Sequence, residues 1–220
     1  MVTVIDVLCL KRIRRLRHGT GAPRDDAALT GVNPVAAGIR TLAAVTSHPP
    51  SPALRALATD TLLNAAAAKE LLDLASRLKA ASIAGHPALP LLQGKNLAVL
   101  QPASGATVSA LHDAAADLGV RVAWVSLGEP PPEVAECARI ARMLGRMYDA
   151  IDVGTTAPAA AAELAIHAGV PVYRGLADGS HPALVLARRL APGDAVVQDD
   201  AAECDNRRFM LQALLLATIG

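Results

Sequence analysis

The sequence predicts an α/β fold: a parallel sheet of about four or five strands, with helices on both faces. Short apolar runs alternate with longer, Ala-rich helical patterns from about residue 59 onward. The runs are apolar at consecutive positions rather than at alternate ones, which is typical of strands buried on both faces. A chain of 220 residues is also long enough to bury a core around such a sheet.

The first ordered element is predicted to be a helix over 59–80, because TDTLLNAAAAKELLDLASRLKA is rich in strong helix formers. Thr59 or Asp60 is expected to cap it. Its leucines at 71, 74 and 78 fall on one stripe, which we expect to face the core.

Beyond it, strand and helix patterns alternate to the end of the chain. The predicted strands are 96–100, 121–127, 150–153 and 170–173, with a possible fifth at 194–198. The predicted helices are 104–118, 133–147, 158–168, 182–190 and 205–218. Ligands of such sheets bind beyond the carboxyl ends of the strands, so the connections that follow the strands are the places to search for a site.

The composition excludes several classes of function. A net charge of +1 removes the broad electrostatic case for nucleic acid or an anionic membrane as a partner. The chain has 47 Ala against one Trp, two Tyr and one Phe, which argues against base-stacking platforms. No apolar run reaches the length of a membrane span, so we expect a cytoplasmic protein with no membrane partner.

The cysteines and the N-terminal region carry little chemistry. Cys9, Cys137 and Cys204 form no CxxC pair, so no metal site is expected, and free thiols in a reducing compartment are the simplest interpretation. Residues 1–58 are predicted to be an irregular extension. The basic run at 11–17 is expected to be a solvated face or, alternatively, a weak contact for an anionic surface.

The first candidate site follows the first predicted strand. Ser104, Gly105, Ala106 and Thr107 lie where a strand runs into a helix, and the free N–H groups of a first helical turn favour an anion. The alternative is that Ser104 simply caps the helix. The loop lacks the glycines and the lysine of nucleotide-binding motifs.

The second candidate is His181, directly before Pro182 at a helix entrance beyond the fourth predicted strand. An imidazole there can donate to a carbonyl oxygen, although a lone histidine is more often structural. Asp178 is expected either to orient this histidine or to cap the turn.

Several segments resemble the ornithine carbamoyltransferases. They are ELLDLASRLKA and LLQGKNLAVL within 70–100, DLGVRV at 117–122, ARMLGRMYDAI at 141–151 and AGVPVYRGLADGSHP at 168–182. The resemblance covers about residues 59–190 and identifies them as the family's carbamoyl-phosphate-binding domain. The tail at 191–220 is interpreted as the remaining start of an amino-acid-binding domain.

The resemblance implies transfer of a carbamoyl group from carbamoyl phosphate to an amino-acid amine, with no cofactor, in a trimer. It implies a Ser-Thr-Arg-Thr-Arg helix start that binds phosphate, a later arginine, and a His-Pro-Thr-Gln histidine that polarises the carbonyl. By this correspondence Ser104, Gly105, Ala106 and Thr107 contact the phosphate and carbamoyl groups, and His181 is the catalytic histidine.

This chain departs from the family at those positions. The helix start has lost both arginines, the later arginine is absent near Val153 and Gly154, and only His181 and Pro182 of the histidine motif are kept. Charge-assisted hydrogen bonds contribute about 1.5–3 kcal/mol each. We therefore expect that losing three arginines slows the transfer by about four orders of magnitude.

Three hypotheses stay open at this point. The chain is a truncated and impaired family member that binds carbamoyl phosphate or another small anion weakly. Alternatively, it is a non-catalytic interaction module that forms a homo-trimer or pairs with a full-length carbamoyltransferase. The third hypothesis is a working transferase on a different small donor or acceptor, whose arginines come from 11–17, 139–146 or 207–208, or from a partner.

Overall fold

A computed structural model describes residues 64–86, 89–100, 106–128, 132–190 and 200–220. Its four strands form one parallel sheet in the order β2-β1-β3-β4. They are β1 (Asn96–Leu100), β2 (Arg121–Val125), β3 (Ala150–Asp152) and β4 (Val172–Tyr173). The predicted parallel sheet is confirmed, whereas the possible fifth strand at 194–198 and the extension at 1–58 lie outside the described residues.

Helices connect and flank these strands. They are α1 (Ala65–Ile83), α2 (Ala106–Leu118), α3 (Val134–Met147), α4 (Pro158–His167) and α5 (Asp200–Ile219), with a 3-10 helix at Pro182–Leu190. The helical prediction over 182–190 is therefore confirmed in position, but the backbone winds more tightly than an α-helix.

The central strand β1 separates two apolar cores. Leu97 and Val99 point into one core, which α1, α2, α5 and the 3-10 helix build. Ala98 and Leu100 point into the other core, which α3 and α4 build. Since successive side chains of a strand point to opposite faces, the helices lie on both faces, as predicted.

Helix α1 begins later than the sequence predicts. Asn64 is its N-cap, and its side-chain oxygen accepts a hydrogen bond of 2.8 Å from the N–H of Ala67. The predicted caps Thr59 and Asp60 lie outside the described residues. Asn is as good a cap as Asp, so a later cap replaced the predicted ones without loss of capping strength.

Helix α5 packs into the same core as α1 and α2. It begins at Asp200 rather than at 205, and most of its second half is buried, including Phe209, Met210, Leu211, Ala213, Leu214 and Leu215. Lys79 on α1 donates to the side-chain oxygen of Asn206 at 2.7 Å and to the Leu190 carbonyl at 2.8 Å. The interpretation of 191–220 as the start of an amino-acid-binding domain stays a prediction about descent.

Candidate anion site at the carboxyl edge of the sheet

The point at which successive helices change from one face of the sheet to the other lies between the carboxyl ends of β1 and β3. The helix that follows β1 packs on one face of the sheet, and the helix that follows β3 packs on the other face. The two connections therefore diverge where these neighbouring strands end. In open α/β sheets such a point is where ligands bind.

The loop predicted to hold an anion is only partly described. Ala106 and Thr107 lie in the first turn of α2, whose backbone N–H groups have no intrahelical acceptor. Ser104 and Gly105 lie outside the described residues. The contacts of these four residues with a phosphate or a carbamoyl group stay a prediction.

A buried carboxylate organises the neighbouring connection. Asp152, at the end of β3, is fully buried and accepts hydrogen bonds from the N–H groups of Gly154 (3.3 Å), Gly175 (3.0 Å) and Ala177 (2.8 Å). Burial raises the pKa of Asp152 above its ordinary value, although the backbone N–H groups act in the opposite direction. The carboxylate thus ties the loop after β4 to the end of β3.

Gly175 lets this loop turn back on itself. Its φ is +88°, and its carbonyl accepts a 3.0 Å hydrogen bond from the N–H of His181. A Cβ at this position would lie 2.1 Å from the Ser180 hydroxyl oxygen, so a larger residue does not fit. The turn brings His181 back beside the end of β4.

The His181 side chain is buried, with 3% exposure. Its Nδ1 accepts a 3.2 Å hydrogen bond from the N–H of Ala183, so the neutral ring carries its proton on Nε2. The rings of His181 and Tyr173 are steeply inclined to each other, at 70°, with their centres 6.3 Å apart. An imidazole in this tautomer can donate from Nε2 to an oxygen.

Asp178 caps the turn, which is one of its two predicted roles. Its Oδ1 accepts from the N–H of Ser180 at 2.9 Å and from the hydroxyl of Ser180 at 2.7 Å. These bonds close the turn that precedes His181.

Besides Asp152, sequence reasoning missed two further polar residues at this edge. Thr156 is 6% exposed, and its hydroxyl has no hydrogen-bond partner among the described residues. Arg174 directly follows β4, is exposed, and forms no ion pair within the described part of the chain. A count of charges along the strand-to-helix connections would have found Arg174, but no local pattern singles out Thr156.

Two of the arginines expected to compensate for the lost ones, Arg207 and Arg208, form ion pairs with residues of α5 and α2. Arg207 pairs with Glu203 at 2.8 Å, and Arg208 pairs with Asp117 at 2.6 Å. Asp117 lies at the far end of the 13-residue helix α2, about 16 Å from the turn that opens it. Arg208 therefore does not serve the predicted anion loop.

Within the segment 139–146, Arg146 lies at the opposite edge of the sheet. Arg139 lies 3.9 Å from Glu136, and Arg146, at the end of α3, lines an open cleft of about 390 Å³ together with Lys95 and Asp149. Lys95 precedes β1, so this cleft lies at the amino edge of the sheet, opposite the candidate site. The basic run 11–17 lies outside the described residues.

Other classes of site find no support in the described ranges. There, no group of three His, Cys, Asp or Glu residues is placed to hold a metal ion. Over the same ranges, no helix combines the length and apolarity needed to cross a bilayer. Cys137 is a buried free thiol and Cys204 is half-buried, and burial raises the pKa of Cys137, with Glu163 and Glu136 adding to the shift.

Comparison with known proteins identifies the fold and its family. Residues 55–190 match the family model described as aspartate/ornithine carbamoyltransferase, carbamoyl-P binding domain. A catabolic ornithine carbamoyltransferase of Burkholderia mallei is 41% identical over 126 residues, which are 56% of this chain and 37% of that protein. An ornithine carbamoyltransferase of Cutibacterium acnes is 40% identical over 124 residues, again 56% of this chain and 37% of that protein.

A solved structure supports the same assignment. The ornithine carbamoyltransferase from Pyrococcus furiosus superposes with a TM-score of 0.50 at 30% identity, over 62% of this chain and 43% of that one. The chain thus spans well under half the length of the relatives it matches. Because the family model matches more than half of the chain, the chain belongs to the aspartate/ornithine carbamoyltransferase family, through its carbamoyl-phosphate-binding domain.

Proposed function

We propose that this member of the aspartate/ornithine carbamoyltransferase family binds carbamoyl phosphate at the carboxyl edge of its sheet, in the cytoplasm, and transfers the carbamoyl group slowly. The match of residues 55–190 to the family's carbamoyl-phosphate-binding domain carries this proposal. The relatives are named ornithine carbamoyltransferases, so ornithine is the first acceptor to test and aspartate is the second.

In the proposed reaction the acceptor amine attacks the carbamoyl carbon. A C–N bond forms, the C–O bond to phosphate breaks, phosphate leaves with the electron pair, and the amine releases a proton to solvent. His181 donates from Nε2 to the carbamoyl oxygen, where negative charge develops. The bond from Ala183 to Nδ1 supports this role, because it keeps the Nε2 proton in place.

The slow rate follows from the charges at the site. Three arginines are implied by the family resemblance, whereas the four strand-to-helix connections at this edge hold a single Lys or Arg. The lost charge-assisted bonds correspond to about 6 kcal/mol, or about four orders of magnitude in rate. The chain should therefore bind its donor measurably and turn it over poorly.

Calorimetry and a citrulline assay test the proposal on the full chain. Carbamoyl phosphate at millimolar concentration should release heat and raise the unfolding temperature. His181→Gln should keep binding and lower any citrulline formation, with the unfolding temperature as the check that the variant folds. Absence of both heat and thermal shift with the unaltered chain would contradict carbamoyl-phosphate binding.

A non-catalytic interaction module is the alternative. The observation that favours it is the edge strand β2, whose outer side has no neighbouring strand among the described ones and whose Trp124 is 42% exposed. Edge strands with exposed aromatics are suited to pairing with another subunit. Light scattering of the purified chain, alone and with a purified ornithine carbamoyltransferase, should show a trimer or a mixed complex, and a strict monomer in both cases excludes this role.

A further inference from the structure

We infer that Arg174 and Thr156 form the phosphate-contacting part of the site, in place of the arginines that the family resemblance implies after β1 and β3. This inference rests on the proposed binding of carbamoyl phosphate. It assigns that binding to the connections that follow β3 and β4.

Arg174 is the sole candidate for the positive charge in these connections. The segments that join strands to helices at the carboxyl edge are 101–105, 126–133, 153–157 and 174–181. Arg174 is the single Lys or Arg in their combined sequence. A phosphate dianion is bound most strongly by a guanidinium fork, so a phosphate at this edge selects Arg174 as its cation.

The strand register places Arg174 close to the ends of β3 and β1. Asp152 pairs with Tyr173 across β3 and β4, and the N–H of Val153 donates to the Tyr173 carbonyl at 2.9 Å. Arg174 is therefore level with Val153. Since neighbouring strands lie about 4.8 Å apart, Arg174 is one strand from the end of β3 and about 10 Å from the end of β1.

The backbone of Arg174 is held while its side chain is exposed. The next N–H, that of Gly175, donates to Asp152 Oδ1, and Gly175 itself is packed against Ser180. The Asp152 carboxylate is already bound by three backbone N–H groups, and no ion pair joins it to Arg174 within the described part of the chain. A rigid backbone with an unpaired guanidinium reduces the ordering cost of binding an anion.

Thr156 provides the independent observation that points to a ligand. Its side chain is more than nine-tenths buried, and its hydroxyl lacks a partner among the described residues. Leaving a buried hydroxyl unpartnered costs about 1–3 kcal/mol, that is, about 5- to 150-fold in an equilibrium. The N–H of Thr156 donates to the Val153 carbonyl at 3.0 Å, which keeps the residue at the end of β3, where a phosphate oxygen would accept from its hydroxyl.

The first experiment compares two charge-neutralising variants by calorimetry, with carbamoyl phosphate and with inorganic phosphate. Arg174→Gln should weaken the binding of carbamoyl phosphate and of inorganic phosphate by about 10- to 100-fold, because it removes charge-assisted hydrogen bonds. Arg146→Gln, an equal change of charge at the opposite edge of the sheet, should leave both affinities unchanged. Equal affinities for Arg174→Gln and the unaltered chain, or a loss with Arg146→Gln instead, overturns the inference.

The second experiment uses Thr156→Val, which keeps the shape and removes the hydroxyl. The variant should bind phosphate about 5-fold more weakly or worse, and its unfolding temperature without ligand should be equal or higher. A lower unfolding temperature means that the fold itself uses the hydroxyl, and this result overturns the role of Thr156. Absence of binding by the unaltered chain defeats the proposed function, whereas binding that survives Arg174→Gln defeats only this inference.

Discussion

The N–H of Ala177 donates a 2.8 Å hydrogen bond to Oδ2 of Asp152, and this bond joins the loop after β4 to the end of β3. Two further N–H groups, of Gly154 and Gly175, reach Oδ1 of the same carboxylate. Arg174 precedes and His181 follows the segment 175–177, which these bonds hold. The conformation of the candidate site therefore depends on a residue that is itself fully buried.

Replacing Asp152 by Asn should destabilise the protein. Whichever way the amide is turned, its NH2 group faces a backbone N–H donor, so at least one buried donor loses its acceptor at a cost of about 1–3 kcal/mol. Urea unfolding measures the change in the free energy of unfolding. Asp178→Asn is the matched control, because Asn also caps this kind of turn. Equal stabilities for the two variants would contradict the conclusion that Asp152 holds the loop after β4.

Gly175→Ala should destabilise the folded protein clearly more than Gly169→Ala. Both glycines have positive φ, +88° and +69°, so alanine adds about 1–2 kcal/mol of backbone strain at either position. Only at Gly175 does the new Cβ also collide with another residue, since at Gly169 nothing lies within 4 Å. Thermal unfolding of both variants checks the difference, and equal losses would mean that the turn before His181 relaxes freely.

The acid stability of the protein should depend on Asp149. Burial raises the pKa of Asp149. The N–H of Asn96 and the ammonium of Lys95, 3.1 Å away, together lower it by more, so the net pKa lies below the ordinary value. Between the lowered pKa and the ordinary one, the unfolded chain binds more protons at Asp149 than the folded chain does. The stabilisation from the Asp149 carboxylate is therefore present above about pH 4 and is lost as the pH falls through the lowered pKa.

Asp149→Asn should therefore be less stable near neutral pH and lose less stability on acidification. Urea unfolding between about pH 2 and pH 6 measures both effects. Lys95→Gln should reproduce part of the change, since it removes one of the partners of the carboxylate. An unchanged dependence on pH in Asp149→Asn is the result that refutes this account.

Arg208→Gln should destabilise the protein more than Arg207→Gln. Arg208 donates to Asp117 on α2 at 2.6 Å and ties α5 to the core, with both side chains less than one-third exposed. Its loss should cost about 1–2 kcal/mol. Arg207 forms an i,i+4 pair within α5, worth about 0.3–0.5 kcal/mol. Chemical denaturation ranks the two, and the reverse order would argue against α5 being anchored through Asp117.

Local patterns in the sequence predicted most of the fold. The runs NLAVL at 96–100 and ARIARMLGRM at 138–147 lie in the predicted strand and helix. Both kinds of element are set largely by residues that are close in the chain, through apolar periodicity and terminating glycines. The boundaries were less accurate. At the start of α1, for example, Asn64 caps as well as the predicted Thr59 or Asp60.

The candidate site was predictable only in part. His181 was identified from its place before a proline at the end of a strand, and the structure shows it buried beside Tyr173. Asp152, Thr156 and Arg174 were missed: no local pattern singles out the first two, and Arg174 stands out only when the charges of all four strand-to-helix connections are counted together. Their significance arises from where the ends of β3 and β4 meet.

The sequence by itself determined the alternation of strands and helices, the edge of the sheet at which a site is expected, and the shortage of cations there, since each depends on residue types in order. Only the tertiary structure decided that α5 closes the same core as α1 and that Asp152 holds the loop bearing His181. These contacts join residues 91 positions apart in the pair Asp117–Arg208 and 25 apart in the pair Asp152–Ala177. Such pairs are chosen by packing and by the need to satisfy buried polar groups, which no local pattern records.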